Sequence, residues 1–382
     1  MPGPGDVLEL IRQRGALTRG DVLEMTGLSR MTVYGRIDAL LDAGLVIETG
    51  TERGTGGRPS RHLEFNPGHA SILVATVDTT HSTIALTDLA GRVLDEDRVD
   101  VAVADGPDLT LRTLVDHARP LLARAGVSAA AVAGMGISVP GPIDPDSGRP
   151  SQPPIMPGWD AYPIPEHLGD ELGVRVLVAN DADAGALGEQ RSSHPHSRSL
   201  FFLKVSSGIG AGIVLGGRVY TGADGGAGDI GHVKIAGETA LCQCGAQGCL
   251  AAVASGRAVA RALTELGKPA ASASDVGAYL AAGDHDALRL AQAAGRTIGE
   301  VVATVVSLLN PAQLVIGGML ASTPLITGVR ETLYPRSLPR ATRHLTVSQS
   351  RLGDRAALAG LAALVVEREY SAGAVDVLVG RS

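Results

Sequence analysis

Residues 228–249 read GDIGHVKIAGETALCQCGAQGC, and the rest of the chain is best understood outward from this segment. It holds every cysteine of the sequence, Cys242, Cys244 and Cys249, just downstream of His232. An odd, tightly spaced set of cysteines reads as metal ligation rather than disulfide bonding. Three thiolates and an imidazole make the tetrahedral set that zinc prefers. No fifth protein ligand is evident, so the expected site is closed and structural, with one ion per chain. Glycines within the loop let it fold around the ion. The alternative, three ordinary core thiols, leaves the spacing unexplained.

On either side of this segment the chain alternates strand and helix patterns from about Ser71 onward. Ser71–Val77, Thr83–Asp88, Val93–Val101, Val132–Val139 and Val174–Ala179 read as strands, followed by Leu200–Val205, Gly212–Leu215 and Gln313–Ile316. Helices are expected at Leu109–Ala125 and Leu288–Leu309, with a final one at Arg355–Glu369. This alternation predicts an α/β fold with largely buried sheets. No sequence repeat or low-complexity segment is apparent.

Several glycine-rich segments punctuate the pattern. They are Ile137-Ser-Val-Pro-Gly141-Pro-Ile-Asp144, Ala179-Asn180-Asp181, Ser206-Ser207-Gly208-Ile-Gly210-Ala-Gly212, and Leu314-Val-Ile-Gly317-Gly318 after Asn310-Pro311. In this order, and with the His-Cys segment among them, they resemble the ROK family (repressors, unassigned reading frames and kinases). The resemblance covers nearly the whole chain. It implies a two-lobed, actin-like (ribonuclease H-like) domain over residues 67–382. Lobe 1 would span about 70–182 plus the C-terminal helix, and lobe 2 about 183–350. It also implies a sugar cleft between the lobes, with Asn180, Asp181, Asp229 and His232 as ligand-binding residues. His232 would serve zinc and ligand together, coupling the two.

Departures from the family pattern decide the expected activity. A family kinase opens lobe 1 with Asp-x-Gly-Gly-Thr, whose small residues admit phosphates. Here the sequence is Asp78-Thr79-Thr80-His81-Ser82-Thr83, and side chains crowd that place. No catalytic residue is therefore assigned; Asp181 is a vestigial candidate. The family's Glu before Ile-Gly-His is Asp229, one methylene shorter. The Glu two residues beyond the last cysteine is Ala251. The expected ligand is a sugar, a sugar phosphate or another sugar derivative. Asp183 is read as a compensating contact or a helix N-cap, and Trp159 as lining the pocket or packing. His194 and His196 are read as surface loop residues. The alternative reading is an ATP-dependent sugar kinase with a DNA-binding head.

That head, residues 1–66, has its own pattern. Val7, Leu8, Leu10 and Ile11 mark a first helix ended by Gly15. Thr18 caps a second helix, with Asp21 as the reciprocal acid and Val22, Leu23 and Met25 turned inward. After Gly27, Ser29 caps a third helix with a stripe at Val33, Ile37, Leu40 and Leu41. Its polar residues Arg30, Thr32, Tyr34 and Arg36 suit a major groove. A hairpin wing carries Arg53, Arg58 and Arg61 toward a minor groove. This predicts a winged helix-turn-helix bound to double-stranded operator DNA, rather than a protein-docking module.

With 382 residues, a multi-domain chain is expected. The net charge of −7 excludes a binder that is basic throughout but not one that binds locally. Lysine is scarce, so the cationic chemistry rests on arginine. No long apolar run or signal peptide appears, and the chain is expected to be cytoplasmic, without membrane contact. The apolar helix Leu288–Leu309 is a candidate for packing in a homodimer or tetramer.

Overall fold

The structure, a computed structural model, describes residues 3–52 and 60–380. The head comprises α1 (Pro4–Arg14), β1 (Leu17–Thr18), α2 (Arg19–Thr26), α3 (Arg30–Asp42), β2 (Val46–Glu52) and β3 (Ser60–Phe65). Thr18 begins α2 with a reciprocal cap. Its Oγ1 accepts from the Asp21 N–H at 3.1 Å, and the Asp21 carboxylate accepts from the Thr18 N–H at 2.7 Å. Gly27, at φ 64°, turns the chain toward α3. Val33, Ile37 and Leu40 lie on one face of α3 and pack with Val7, Leu8, Ile11 and Val22. Met25, expected inside, is 52% exposed; α2 spans only eight residues and buries Val22 alone. Strand β3 lies between β1 and β2, and the antiparallel pair β2–β3 forms the wing.

The remainder contains two five-stranded sheets with the same connectivity. Lobe 1 uses β4 (Ser71–Val77), β5 (Ser82–Asp88), β6 (Val93–Val99), α4 (Pro107–Arg124), β7 (Val132–Val139), α5 (Ile164–Leu172) and β8 (Val176–Asn180). Its strand order is β6-β5-β4-β7-β8, an antiparallel meander continued by parallel strands. Helix α6 (Asp181–Ser193) then leads into β9 (Ser199–Val205), β10 (Ile209–Leu215) and β11 (Arg218–Val219). Next come α7 (Leu250–Ala254), α8 (Gly256–Glu265), α9 (Ala273–Ala281), α10 (His285–Leu309) and β12 (Gln313–Gly317). The chain continues through α11 (Thr323–Arg336), α12 (Pro339–Thr342), β13 (Thr346–Gln349), α13 (Ala356–Glu369) and α14 (Ala372–Val379). The order β11-β10-β9-β12-β13 repeats that of lobe 1. The architecture is thus duplicated although the sequence shows no repeat, because pairing order is a backbone property that many apolar sequences satisfy.

Helices α6 and α13 cross between the two sheets with their backbones touching. A Cβ on Gly360 would fall 1.7 Å from the Ala184 carbonyl oxygen, and one on Gly188 would fall 2.0 Å from that of Ala356. These glycines permit the crossing. Since Asn180 caps α6 and Asp181 opens it, the crossing also fixes where these cleft residues emerge.

Helix α14 lies beyond Glu369, the expected end of the last helix. Its short apolar run has no periodicity to mark it as a helix. It docks on α1: the Gly5 N–H donates to Asp376 Oδ1 at 2.8 Å, and Arg12 Nη1 donates to the Tyr370 carbonyl at 3.2 Å. The apolar cluster of the head continues through Tyr370 and Val375 to Leu361 and Val365 of α13. The head is therefore cemented to lobe 1. No helix among the described residues is long and apolar enough to cross a membrane.

Candidate functional site

A cleft of about 570 Å³ opens between the lobes, lined by Asn180, Asp181, Asp229 and His232 among others. The structure thus brings these four residues to one place. Asn180 is the N-cap of α6: its Oδ1 accepts from the N–H groups of Ala182 (2.9 Å) and Asp183 (3.3 Å). Its Nδ2 donates to the Gly141 carbonyl at 3.0 Å, tying the Pro-Gly loop to the helix start. Asp181 receives a hydrogen bond from Lys204 Nζ at 2.6 Å, and the same ammonium reaches Asp78 Oδ2 at 3.1 Å. Lys204 comes from β9, Asp78 follows β4 and Asp181 opens α6, so one cation joins both lobes and the hinge. It holds the Asp78 carboxyl below its usual range against the opposing pull of burial. The first turn of lobe 1 is also closed on itself. The Asp78 N–H donates to the His81 carbonyl at 3.0 Å, and Thr79 Oγ1 donates to Ser207 Oγ at 2.8 Å. Lys204 was not singled out in the sequence; an isolated lysine within an apolar strand, in a lysine-poor chain, was the available signal.

Asp183 is neither the cap nor a cleft contact. It sits one turn into α6, 6% exposed, and its Oδ1 has no partner among the described residues. Burial, then the charges of Asp181 and Asp229, push its carboxyl up to about 8. The native chain thus keeps a proton that the unfolded chain loses near pH 4. Stability falls as pH rises from about 4 to about 8 on this account. Asp183→Asn is expected to remove most of that fall and to stabilise the protein at pH 8 by about 2 kcal/mol. Urea unfolding at pH 5 and pH 8 measures it; equal slopes in the two proteins would count against the assignment.

The His232, Cys242, Cys244 and Cys249 ligand atoms lie within 4.8 Å of one another. Cys242 Sγ is 3.7 Å from His232 Nδ1, and Cys244 Sγ is 3.7 Å from Cys249 Sγ. The edge of a tetrahedral zinc–thiolate site is about 3.8 Å, so these residues fit such an ion. Lys234 Nζ donates to Cys249 Sγ at 3.0 Å, a bond that stabilises a thiolate. Trp159 is fully buried in the lobe 1 core, and its Nε1–H donates to the Val103 carbonyl at 2.8 Å. Its place is in packing.

On the head, Arg30 is exposed at the start of α3. Thr32 Oγ1 bonds Ser29 Oγ at 2.8 Å, and the Tyr34 ring lies beneath the guanidinium groups of Arg19 and Arg30. Arg36 is half-buried, and its Nη1 has no partner among the described residues. Arg61 is exposed and pairs with Glu48 at 2.9 Å. Arg53 and Arg58 lie outside the described residues. Met31, 85% exposed on the solvent face of α3, is a further surface residue that the sequence pattern did not suggest.

Residues 76–368 match the ROK family. The chain belongs to the ROK family. The ROK match starts within β4, so the head precedes it. A crystal structure of a ROK family transcriptional regulator, a homologue of the MLC protein of Escherichia coli, matches with a TM-score of 0.82 at 28% identity. The match covers 99% of this chain, head included, and 98% of that one. The xylose repressor of Caldicellulosiruptor bescii is 28% identical over 380 residues, 94% of each chain. A glucokinase from Halalkalibacterium halodurans is 30% identical over 315 residues, covering 77% of this chain and 95% of its own. The repressor and the regulator thus match this ROK chain nearly end to end, and the kinase matches about three quarters of it.

Proposed function

We propose that this ROK protein is a cytoplasmic, sequence-specific DNA-binding repressor whose zinc-containing sensor part responds to a sugar or sugar-derived ligand and transfers no phosphate. The observation that carries this reading is the Lys204 ammonium held between Asp78 and Asp181. Asp181 Oδ2 is already engaged by Lys204, so that oxygen is not free to orient on a substrate hydroxyl as a general base must. The Thr79–Ser207 bond closes the turn after Asp78, which in a family kinase would be expected to admit phosphates. One zinc, held by His232, Cys242, Cys244 and Cys249, would brace the cleft wall. Asn180, Asp181, Asp229 and His232 would face the ligand.

In this reading Arg30, Thr32, Tyr34 and Arg36 present α3 to the major groove, and Arg53, Arg58 and Arg61 take the wing to the minor groove. A homodimer or tetramer would set two heads about 34 Å apart, one DNA turn. Exposed Leu308 on α10 and Leu338 nearby support packing through that end of the molecule.

Because α1 and α14 join the head to lobe 1, a ligand that favours one lobe arrangement can bias the head. Binding-site selection with the purified protein should enrich one operator. Arg30→Ala and Arg58→Ala are each expected to weaken it about ten-fold. No enrichment, or unchanged affinity in both variants, would defeat the DNA reading. The glucokinase relative keeps a second reading alive, a sugar kinase with a DNA-binding head. Turnover of any hexose with Mg-ATP in a coupled assay would establish it.

A further inference from the structure

The cleft carries two arginines that no function described so far uses. Arg257 and Arg261 lie one turn apart on α8 and both line the cleft. Arg257 is half-buried beside the Ser206–Gly208 loop; a Cβ on Gly208 would stand 3.9 Å from its Nη2. That loop is held to the start of α8 by a 2.7 Å bond from the Gly256 N–H to the Ser206 carbonyl. Arg257 makes neither an ion pair nor a hydrogen bond with any described residue. Burial pulls its affinity for a proton down, opposed by Cys242, which lines the same cleft. Arg261 makes one contact, from Nη2 to the Ala252 carbonyl at 3.1 Å.

No described acid of the cleft pairs with Arg257; Asp229 lines the same cleft and forms no ion pair with it. Asp78 and Asp181 are both taken by Lys204. The position where the family resemblance leads one to expect a Glu is Ala251, on the cleft wall. A guanidinium drawn from water without a counter-charge is unfavourable unless a ligand supplies one. Its planar fork suits the oxygens of a phosphate or carboxylate.

We infer that Arg257, with the exposed Arg261 one turn further along α8, is a subsite for an oxyanion borne by the ligand, which makes the ligand an anionic sugar derivative rather than a neutral sugar. This inference rests on the sugar-sensor reading above. The shared chemistry is a terminal oxyanion, supplied by a phosphate ester or a sugar acid.

Calorimetry on the full chain, zinc-loaded, would compare neutral glucose, xylose and N-acetylglucosamine with glucose 6-phosphate, N-acetylglucosamine 6-phosphate, gluconate and glucuronate, and with inorganic phosphate alone. An anionic sugar is expected to bind at least about ten-fold more tightly than its neutral parent. Arg257→Gln should abolish that gap, and Arg257→Lys should keep part of it. Whichever anionic class binds identifies the source of the oxyanion. If a neutral sugar binds as tightly as its charged partner, or if Arg257→Gln leaves the gap intact, the subsite is overturned and the sugar reading stands. If inorganic phosphate binds as tightly as any sugar, the oxyanion is not borne by the ligand and the inference fails. If nothing in the panel binds, the sugar reading itself falls, and the subsite with it.

Discussion

Purified protein is expected to contain one zinc per chain, and Cys249→Ser to contain almost none. The ligand atoms are already gathered at tetrahedral spacing, and Cys249 is fully buried with Lys234 donating to its sulfur. Serine offers a hard, protonated oxygen where a thiolate is needed, and four-coordinate sites tolerate the loss of a ligand poorly. The consequence reaches beyond the loop. His232 belongs both to the cluster and to the cleft, and Cys249 is the residue that starts α7. Without the ion, residues 233–249 have little apolar core of their own, since only Cys242, Cys249 and Ala252 form the local cluster. Structural zinc supplies on the order of 10 kcal/mol in isolated metal-folded peptides; the anchored loop here should lose less, but more than a loop of this length can spare. Elemental analysis reads the metal content, and limited proteolysis reads the loop. Wild-type protein that lacks metal and still resists cleavage between 233 and 249 would remove the zinc assignment.

Lys204→Met is expected to cost about 3 kcal/mol of stability, because it leaves two carboxylates facing each other in a largely buried place. The lysine side chain is 21% exposed, and Asp78 and Asp181 are 26% and 12% exposed. Water therefore screens the group only partly, and the loss should lie at the lower end of that for buried pairs. The cost should depend on the acids. Adding Asp78→Asn to Lys204→Met should recover a large part of it, and the double-mutant cycle measures the coupling. Because native Asp78 holds its proton less tightly than the unfolded residue, its contribution is present above about pH 4 and disappears as the medium becomes more acidic. Urea unfolding of the two single variants and the double variant, at pH 7 and pH 4, tests all three statements. A loss below about 1 kcal/mol would show the pair to be no stronger than a surface contact. It would also weaken the case that Asp181 is occupied.

The same bridge supports the proposal that the cleft transfers no phosphate. In that reading, Thr80 and His81 stand where the family motif has its two glycines and crowd the place of entry. Lys204 occupies one oxygen of each of Asp78 and Asp181, and in the proposed reading those oxygens are not open to an attacking hydroxyl.

Sequence reasoning reached the elements whose signals are local. The caps at Thr18 and Ser29, the stripe of α3 and the strand Ser71–Val77 depend on residues a few positions apart, and the structure shows them as read. The gathering of His232, Cys242, Cys244 and Cys249 was legible for the same reason: their spacing along the chain is short. What involves distant residues was not legible. Asp183 has a residue type that suits a helix cap, but Asn180 took that role and left it inside, where burial holds its proton. Trp159 could have faced the cleft, yet its indole found the Val103 carbonyl in the core. Helix α14 offered too short an apolar run to be told from a strand, and its partner, α1, lies at the other end of the chain.

The sequence by itself determined the family, the α/β class, the His-Cys cluster and the helices of the head, because each is written in neighbouring residues or in the order of segments. Only the tertiary structure decided that Lys204 joins Asp78 to Asp181, that Arg257 faces the cleft without a counter-charge, and that the head rests on the last helix. Each of these joins residues far apart in sequence, and Coulomb attraction, desolvation and close packing act on distance in space, which the linear order of a chain does not record.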